Sequence, residues 1–176
     1  CKTNFARRAP EKWSAFASML VKASNRNKRC SVLCEMAFEE IEVKFYVRAL
    51  GPIADRLDRL GAELERPRLL EVNLRFDLPD ASLGRSDRVL RLRKSGGEAA
   101  RLTYKGPGEQ RGGVRIREEI EFTVGDGAAA RAFLEALGFQ VVTTYEKYRR
   151  IYAFAGRHIM LDELPFGLFV EIEGES

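Results

Sequence analysis

In the stretch EEIEVKFYVR, residues 39–48, charged and apolar side chains alternate. Glu40, Glu42 and Lys44 occupy every second position of this stretch. Because neighbouring side chains of a β-strand point to opposite faces, one face of the predicted strand is ionic and the other is apolar. The remaining strands decide whether the ionic face is simply solvated or forms a site.

The same alternation recurs in the segments that follow. In each of these segments the charged residues lie on one face, whichever way that face points. They are Arg91, Arg93, Lys105, Arg115, Arg117, Glu119, Glu121, Lys147, Arg149, Asp162, Glu171 and Glu173. An ordinary antiparallel sheet with one solvated face explains any single strand. The polar face is nearly all ionic on about six strands, however, although Glu, Lys and Asp are disfavoured in strands. A curled sheet would place this face inside, where opposite charges pair and ligands compensate the remainder.

Turn residues divide the chain into short elements. The pattern predicts strands at 39–48, 68–78, 88–94, 100–105, 113–124, 140–154, 157–164 and 168–174, helices from Pro52 to near Gly61 and over 127–137, and a loop at 79–87. A sheet with this many antiparallel strands must curl, close or split. We therefore predict the α+β class, as a closed antiparallel eight-stranded β-barrel, a tunnel with a charged lumen and a few flanking helices.

The basic excess of the chain is confined to its first 35 residues. The 176 residues carry a net charge of +4, yet residues 1–35 alone hold eight Lys or Arg and two acids. We predict that residues 1–35 are a basic N-terminal extension, disordered or non-native, and that 36–176 is the domain. Since the body is not basic, we predict no nucleic-acid partner.

The positions of the cysteines and the hydropathy of the chain indicate its cellular compartment. All three cysteines, Cys1, Cys30 and Cys34, precede the body, which therefore has no disulfide framework. This favours a reducing, cytoplasmic setting. No apolar run approaches the roughly 20 residues that span a bilayer, so we predict no membrane partner.

The segregated charges indicate a chemistry. Clustered carboxylates suit a hard divalent cation, Mg²⁺ or Mn²⁺, and the candidates are Glu40, Glu42, Glu119, Glu121, Asp162, Glu171 and Glu173. Clustered cations suit a chain of phosphates, and the candidates are Lys44, Arg91, Arg93, Lys105, Arg117, Lys147 and Arg149. A metal together with phosphates indicates phosphoryl or nucleotidyl transfer, in which catalysis is mostly positioning and charge neutralisation.

Six motifs then occur in the order of a known family. EIEVKF, LRLR, LTYKGP, REEIE, EKYRRIY and LDELPFGLFVEIE resemble the CYTH superfamily, the triphosphate tunnel metalloenzymes, over about residues 38–175. The resemblance is greatest to the variety that contains class IV adenylate cyclases; thiamine and inorganic triphosphatases are relatives. Family members usually continue beyond the last strand, so this chain resembles either a short member or one truncated at its C-terminus.

The resemblance implies roles for the inward residues. Glu40, Glu42, Glu171 and Glu173 would hold the metal, with Asp162, Glu119 and Glu121 nearby. The cationic candidates would grip the triphosphate, and catalytic roles fall to Lys44, Lys147 and Asp162. The resemblance also implies a homodimer. Strand register decides whether Arg115 or Arg117 points inward.

Three functions fit these residues. The first is a metal-dependent adenylate cyclase that converts ATP to cyclic AMP and pyrophosphate. The alternatives are a triphosphatase acting on thiamine triphosphate or inorganic triphosphate, and a non-catalytic module that binds triphosphate or polyphosphate. The sequence shows no base-recognition motif. For His158, and for Tyr145, Tyr148 and Tyr152, packing or surface roles are favoured over catalysis or base stacking.

Overall fold

The structure is a computed structural model that describes residues 38–175. The predicted extension over 1–35 lies outside the described residues. The strands are β1 (Phe38–Val47), β2 (Glu63–Asp77), β3 (Val89–Ser95), β4 (Ala100–Lys105), β5 (Glu109–Arg111), β6 (Val114–Val124), β7 (Gln140–Phe154), β8 (Arg157–Leu164) and β9 (Gly167–Glu175). The helices are α1 (Gly51–Arg59), α2 (Ser82–Arg85) and α3 (Gly127–Ala136).

Eight of these strands close into a barrel. Their order is β1-β9-β8-β7-β2-β3-β4-β6, every neighbouring pair is antiparallel, and β1 pairs with β6 to complete the ring. The short β5 extends β6 outside this ring. The predicted closed antiparallel barrel with an α+β composition is confirmed, with one strand and one helix more than the sequence pattern predicted.

The strand registers bring the ionic positions to one face. Glu42 pairs with Arg115 on one side and with Glu173 on the other, and Lys44 pairs with Glu171. Directly paired residues share a face of the sheet, so these charges all point into the barrel.

Strand β2 is longer than predicted, because it begins at Glu63 instead of residue 68. Register shifts interrupt its pairing with β7 between Leu64 and Arg66 and between Arg66 and Leu69. Such irregularities bend a strand and increase its twist, which helps a sheet to close. The irregular pairing also hides the alternation on which the sequence pattern relied.

Helix α1 covers one part of the outer barrel wall. Pro52 lies in its first turn, and Gly61, with φ of 77°, follows its end. Ala54 and Leu57 are buried on it, and they belong to a core cluster with Ile159 of β8. This apolar stripe fixes α1 against the outward face of the last three strands.

Helix α3 covers a second part of the wall. The Asp126 carboxylate caps it by accepting hydrogen bonds from the backbone N–H groups of Ala128 and Ala129. Its buried residue, Leu134, packs in a cluster with Phe76 and Leu92. Both apolar clusters therefore lie outside the barrel, which leaves the inside to polar side chains.

The loop predicted at 79–87 contains the one-turn helix α2. The carboxylate of Asp77 accepts hydrogen bonds from the backbone N–H groups of Leu78, Leu83 and Gly84 at 2.8–2.9 Å. A side-chain acceptor at the end of β2 thus supplies the partners that a short helix lacks. In the part of the chain that the structure describes, no helix is long and apolar enough to cross a membrane.

Candidate active site

The barrel encloses one ionic cavity of about 570 Å³. Nine cationic and eight carboxylate side chains line it. All eight barrel strands contribute charged or polar lining residues, because each presents alternate side chains to the inside. The charges are unevenly placed, since the charged lining residues of β3 are both cations, Arg91 and Arg93, and those of β9 are both carboxylates, Glu171 and Glu173.

Three carboxylates from three strands meet in the acidic cluster, formed by Glu40, Glu119 and Glu173. One oxygen from each lies within 4.8 Å of the others. Burial, reinforced by the neighbouring charge of Glu40, raises the pKa of Glu119 to about 7 against the attraction of Lys105. Burial and the charge of Glu40 likewise raise the pKa of Glu173. Two members of the acidic cluster therefore lack sufficient positive charge around them.

Lys105 is the cation nearest the acidic cluster. Its Nζ lies 2.5 Å from Oε1 of Glu40 and 2.7 Å from Oε2 of Glu119. Burial opposes ionisation of Glu40, but Lys105 and Arg117 outweigh it and lower the pKa of this carboxyl. Oε2 of Glu119 is buried and, despite its ion pair, has no hydrogen-bond partner of good geometry.

The acidic cluster fits a hard divalent cation. It offers oxygen ligands, which Mg²⁺ and Mn²⁺ prefer. A cation would satisfy the buried oxygen of Glu119 and would favour the ionised forms of Glu119 and Glu173. An oxygen of Glu42 lies 4.0 Å from Nζ of Lys105, the lysine that contacts Glu40 and Glu119.

A second cluster joins β7, β8 and β9. The fully buried carboxylate of Asp162 accepts hydrogen bonds from Nζ of Lys147 at 2.8 Å and from Nε and Nη2 of Arg149 at 2.6 Å. Glu171 pairs with Arg149 and with Lys44. Burial disfavours the charge on Glu171, but Arg149, Lys147 and Lys44 hold its pKa far below the ordinary value.

Two lysines of this cluster differ in acidity. Burial and the positive charge of Arg149 lower the pKa of Lys147 to about 8. Burial also acts against the charge on Lys44, but Glu171 outweighs it and raises the pKa of Lys44. Of these two lysines, Lys147 is therefore the one that loses its proton more readily.

A third cluster surrounds Glu121. Its carboxylate pairs with Arg93 at 3.1 Å and Arg101 at 2.7 Å, and it accepts a hydrogen bond from the hydroxyl of Thr103. These cations overcome the effect of burial and lower the pKa of Glu121 to about 2. Nε of Arg91 is buried without a hydrogen-bond partner, so it is free to donate to a bound anion.

Arg115 and Arg117 share the inward face but differ in depth. Nε of Arg117 lies 3.1 Å from Glu40, and its side chain is 10% exposed. Arg115 is 31% exposed and pairs at the rim with Asp87, which also accepts a hydrogen bond from the backbone N–H of Gly108. Arg117 is thus the interior member of the pair, as the list of phosphate-binding candidates assumed.

The structure brings all fourteen candidate residues, seven carboxylates and seven cations, to the cavity lining. Three of the seven carboxylates form the acidic cluster, whereas Asp162, Glu121 and Glu171 pair with arginines and lysines in the second and third clusters. A metal role for these three stays a prediction, whereas the geometry of a ligand set is present at Glu40, Glu119 and Glu173.

The sequence analysis missed several inward residues of β2. Glu71 and Asn73 are buried beside the cavity, and Arg75 lines it. Glu71 lies 3.7 Å from Nζ of Lys147 and 3.8 Å from Nη1 of Arg93, so it links the second and third clusters. The signal was present, because Glu71, Asn73, Arg75 and Asp77 occupy alternate positions.

The three tyrosines and the histidine considered in the sequence analysis occupy different environments. Tyr145 lines the cavity, whereas Tyr152 is buried in the outer core and the ring of Tyr148 stacks under Arg68. His158 is exposed and its Nε2 lies 3.2 Å from Glu65.

A closed antiparallel tunnel with an ionic interior defines a class of domain, and comparison with known proteins identifies the family. The model of the CYTH domain matches residues 39–176, and the chain belongs to this family. Its members are generally triphosphate tunnel enzymes that depend on a metal.

Solved structures share the fold. A protein of Pyrococcus horikoshii OT3 is 30% identical with a TM-score of 0.65, covering 78% of this chain and 79% of that chain. A candidate adenylate cyclase from Vibrio parahaemolyticus is 24% identical with a TM-score of 0.71, covering 79% and 76%. A candidate adenylyl cyclase from Hippeastrum, described as having a dominant triphosphatase activity, is 22% identical with a TM-score of 0.60, covering 78% and 79%. Comparison with the curated proteins gives no match.

Proposed function

We propose that this chain is a divalent-metal-dependent enzyme that binds ATP in its tunnel and converts it to cyclic AMP and pyrophosphate. The observation that carries the proposal is the separation of charges within one cavity. The acidic cluster draws on β1, β6 and β9, whereas Arg91 and Arg93 lie on β3, which is opposite β9 in the ring of eight strands. A triphosphate with its cation needs both kinds of surface within one cavity.

The interior cations would hold the phosphates. Arg91, Arg93 and Arg149 are each buried to 13% exposure or less, so their charges act in a medium where water screens them weakly. Guanidinium groups give two parallel hydrogen bonds to phosphate oxygens. Lys44, whose pKa is raised, keeps its proton and adds a fourth cation nearer the rim.

The acidic cluster would hold Mg²⁺ or Mn²⁺. Such a cation, when bound, neutralises part of the negative charge of the phosphates. Glu40, Glu119 and Glu173 are the proposed ligands, and Glu42 is close enough to assist.

Cyclisation is an intramolecular transfer of the α-phosphorus to the ribose 3′-oxygen, and it needs no protein nucleophile. The ribose 3′-oxygen bonds to the α-phosphorus, the bond from that phosphorus to the bridging oxygen breaks, and pyrophosphate leaves. The 3′-hydroxyl must lose a proton, and we assign its acceptance to the neutral form of Nζ of Lys147, whose pKa is about 8 in the chain without triphosphate. Asp162 positions Lys147 through their 2.8 Å hydrogen bond.

Hydrolysis is the second candidate, with water in place of the ribose oxygen. The Hippeastrum protein, which shares this fold, is described as having a dominant triphosphatase activity, and this supports hydrolysis as a candidate reaction. The same cations and carboxylates would serve thiamine triphosphate or inorganic triphosphate. A module that binds triphosphate without turnover is the third outcome.

Product analysis separates these functions. The purified full chain would receive ATP, thiamine triphosphate and inorganic triphosphate, each with Mg²⁺ or Mn²⁺. Cyclic AMP and pyrophosphate support the cyclase, orthophosphate without cyclic nucleotide supports the triphosphatase, and binding without products supports the module. Activity should be lost in Glu40→Ala and Glu119→Gln and kept in Glu98→Gln, an exposed residue paired with Arg66 outside the cavity.

Residues 36–176 are proposed as the catalytic domain. The homodimer, the cytoplasmic location and the lack of nucleic-acid and membrane partners stay predictions. Light scattering of the purified chain tests the homodimer.

A further inference from the structure

A row of cations follows strand β2 along the inside of the barrel. Four alternate residues of β2 each pair with a cation of a neighbouring strand: Leu69 with Arg149, Glu71 with Lys147, Asn73 with Arg93 and Arg75 with Arg91. Since a strand rises about 3.4 Å per residue, the row is about 20 Å long. The fourth position differs from the other three, because the β2 residue there is itself a cation.

Arg75 and Arg91 carry like charges directly opposite each other, with little negative charge nearby. Both line the cavity. Arg91 is 3.8 Å from the carboxylate of Glu121, which Arg93 and Arg101 approach more closely. In the described part of the chain, Arg75 has neither an ion pair nor a hydrogen bond. Like charges directly opposite destabilise an antiparallel pair, so an anion bound beside both arginines would relieve their repulsion.

Two further groups beside Arg75 have unused hydrogen-bond donors. Among the residues that the structure describes, Nε of Arg91 is buried without a partner, and Asn73 is completely buried with neither polar atom of its amide paired. Asn73 lies two residues before Arg75 and therefore shares its face of β2. We call Asn73, Arg75 and Arg91 the donor patch. Because buried polar groups nearly always have partners, these unused donors point to an anionic ligand.

The donor patch lies at a distance from Lys147 along the row. The partner of Lys147 on β2 is Glu71, four residues before Arg75, which corresponds to about 14 Å along the strand. In the proposed reaction, Lys147 accepts the proton of the oxygen that attacks the α-phosphorus. The row continues in the other direction to Arg149, whose charge is already paired with Asp162. A triphosphate with its α-phosphate near Lys147 would therefore extend its other end toward the donor patch.

We propose that the donor patch binds the terminal phosphate of the triphosphate, so that Arg75 makes the site select triphosphates over diphosphates. This inference rests on the proposed function, in which the same cavity holds a triphosphate and Lys147 lies at its α-phosphate. Arg75 forms the two parallel hydrogen bonds that a guanidinium gives to phosphate oxygens. A terminal phosphate has enough oxygens to accept hydrogen bonds from Arg91 and Asn73 as well. Arg75 is thereby a substrate-binding residue in addition to the four cations assigned above.

The test is titration calorimetry of the full chain with ATP, inorganic triphosphate and ADP, with a chelator present to prevent turnover. Arg75→Gln is expected to raise the Kd of both triphosphates about tenfold, the effect of losing one hydrogen bond between charged groups. The Kd of ADP, which lacks the terminal phosphate, should change less than twofold. Arg75→Lys keeps the charge but not the paired donors, so its affinity for triphosphates should lie between those of the native chain and Arg75→Gln.

Thermal unfolding of the ligand-free chain separates a binding role from a structural one. Because Arg75→Gln removes the repulsion with Arg91, its unfolding midpoint should equal or exceed that of the native chain. Arg131→Gln is the matched control, since this exposed arginine of α3 pairs with Glu135 outside the cavity, and it should leave all three affinities unchanged.

Three results would overturn the inference while leaving the proposed function intact. They are unchanged triphosphate affinity in Arg75→Gln, equal weakening of ATP and ADP, and a lowered unfolding midpoint that accompanies the loss of affinity. If the native chain binds no triphosphate, the inference and the proposed function are both wrong.

Discussion

Arg149 and Asp162 face each other across β7 and β8, and Nε and Nη2 of Arg149 lie 2.6 Å from the two carboxylate oxygens. The same carboxylate is 2.8 Å from Nζ of Lys147. One fully buried acid thus compensates two buried cations, and removing it would leave both cations short of negative charge.

Asp162→Ala is therefore expected to lower the free energy of unfolding by about 3–5 kcal/mol, the usual cost of breaking a buried ion pair. Urea unfolding of the ligand-free chain measures this loss. Glu163→Ala is the control, because Glu163 pairs with Arg68 near the surface, and it should cost about 1 kcal/mol or less. Equal losses in the two variants would contradict the buried role of Asp162.

Triphosphate affinity should fall as the pH rises through about 8. Lys147 attracts phosphate only while it is protonated. Burial together with the charge of Arg149 lowers its pKa to about 8 in the free chain. Bound phosphate raises this pKa, so binding takes up a proton, and affinity falls by up to about tenfold per pH unit above it. Metal-free calorimetry with inorganic triphosphate from pH 6.5 to 9.5 measures the effect.

Lys147→Arg is the control for that profile. An arginine keeps its charge over this range, so the variant reports the titration of the ligand and of the other cavity groups, such as Glu119, without that of Lys147. Superimposable profiles for the variant and the native chain would rule out Lys147 as the titrating group.

Lys105 should compete with a metal ion for the acidic cluster. Its ammonium lies between Glu40 and Glu119, at 2.5 Å and 2.7 Å from their oxygens. Without triphosphate, Lys105→Met is expected to bind Mn²⁺ at least about tenfold more tightly, because a nearby positive charge is removed. Glu119→Gln should weaken Mn²⁺ binding by a similar factor.

Electron paramagnetic resonance of free Mn²⁺ measures both variants. Lys94→Met, an exposed lysine of β3, is the control and should leave the affinity unchanged. If Lys105→Met binds Mn²⁺ no better than this control, the ammonium does not occupy the cation position.

Asp77 should stabilise the fold in a pH-dependent manner. Burial alone would raise its pKa, but three backbone N–H groups of the turn and α2 outweigh burial and lower it. Its contribution is therefore present above the ordinary pKa of 3.8 and is lost as the pH falls below it. Asp77→Ala should cost about 2 kcal/mol at pH 7 and progressively less below pH 4.

Thermal unfolding at pH 7 and pH 3 tests this dependence. Asp80→Ala is the comparison, because Asp80 is exposed and accepts a single backbone hydrogen bond, from Ser82. A constant difference between Asp77→Ala and the native chain across this pH range would show that the charge of Asp77 is unimportant.

Leu57 should support the barrel from outside without affecting the cavity. It is 4% exposed and packs α1 against Ile159 and Val170. Leu57→Ala is expected to cost about 2–5 kcal/mol, with triphosphate affinity unchanged once folded. Leu60→Ala, at 45% exposure on the same helix, should cost about 1 kcal/mol or less. Urea unfolding and calorimetry report the two quantities separately.

Much of the fold was predictable from alternation. The ionic positions of β1, β3, β6, β7 and β9 lie inside as expected, and the barrel closes as predicted. Strand β5 and helix α2 were missed because each is only three or four residues long. Asp77 organises α2 through backbone contacts with Leu83 and Gly84, and such contacts leave no periodic signal in the sequence.

The sequence by itself determined which side chains share a face, because side-chain direction along a strand depends only on local geometry. Tertiary structure decided which of them meet: that Glu40, Glu119 and Glu173 form the acidic cluster, while Asp162 serves Lys147 and Arg149. Height along the tunnel depends on the stagger between strands and on the irregular pairing of β2 with β7. These are set by closure of the whole barrel, which no single segment contains.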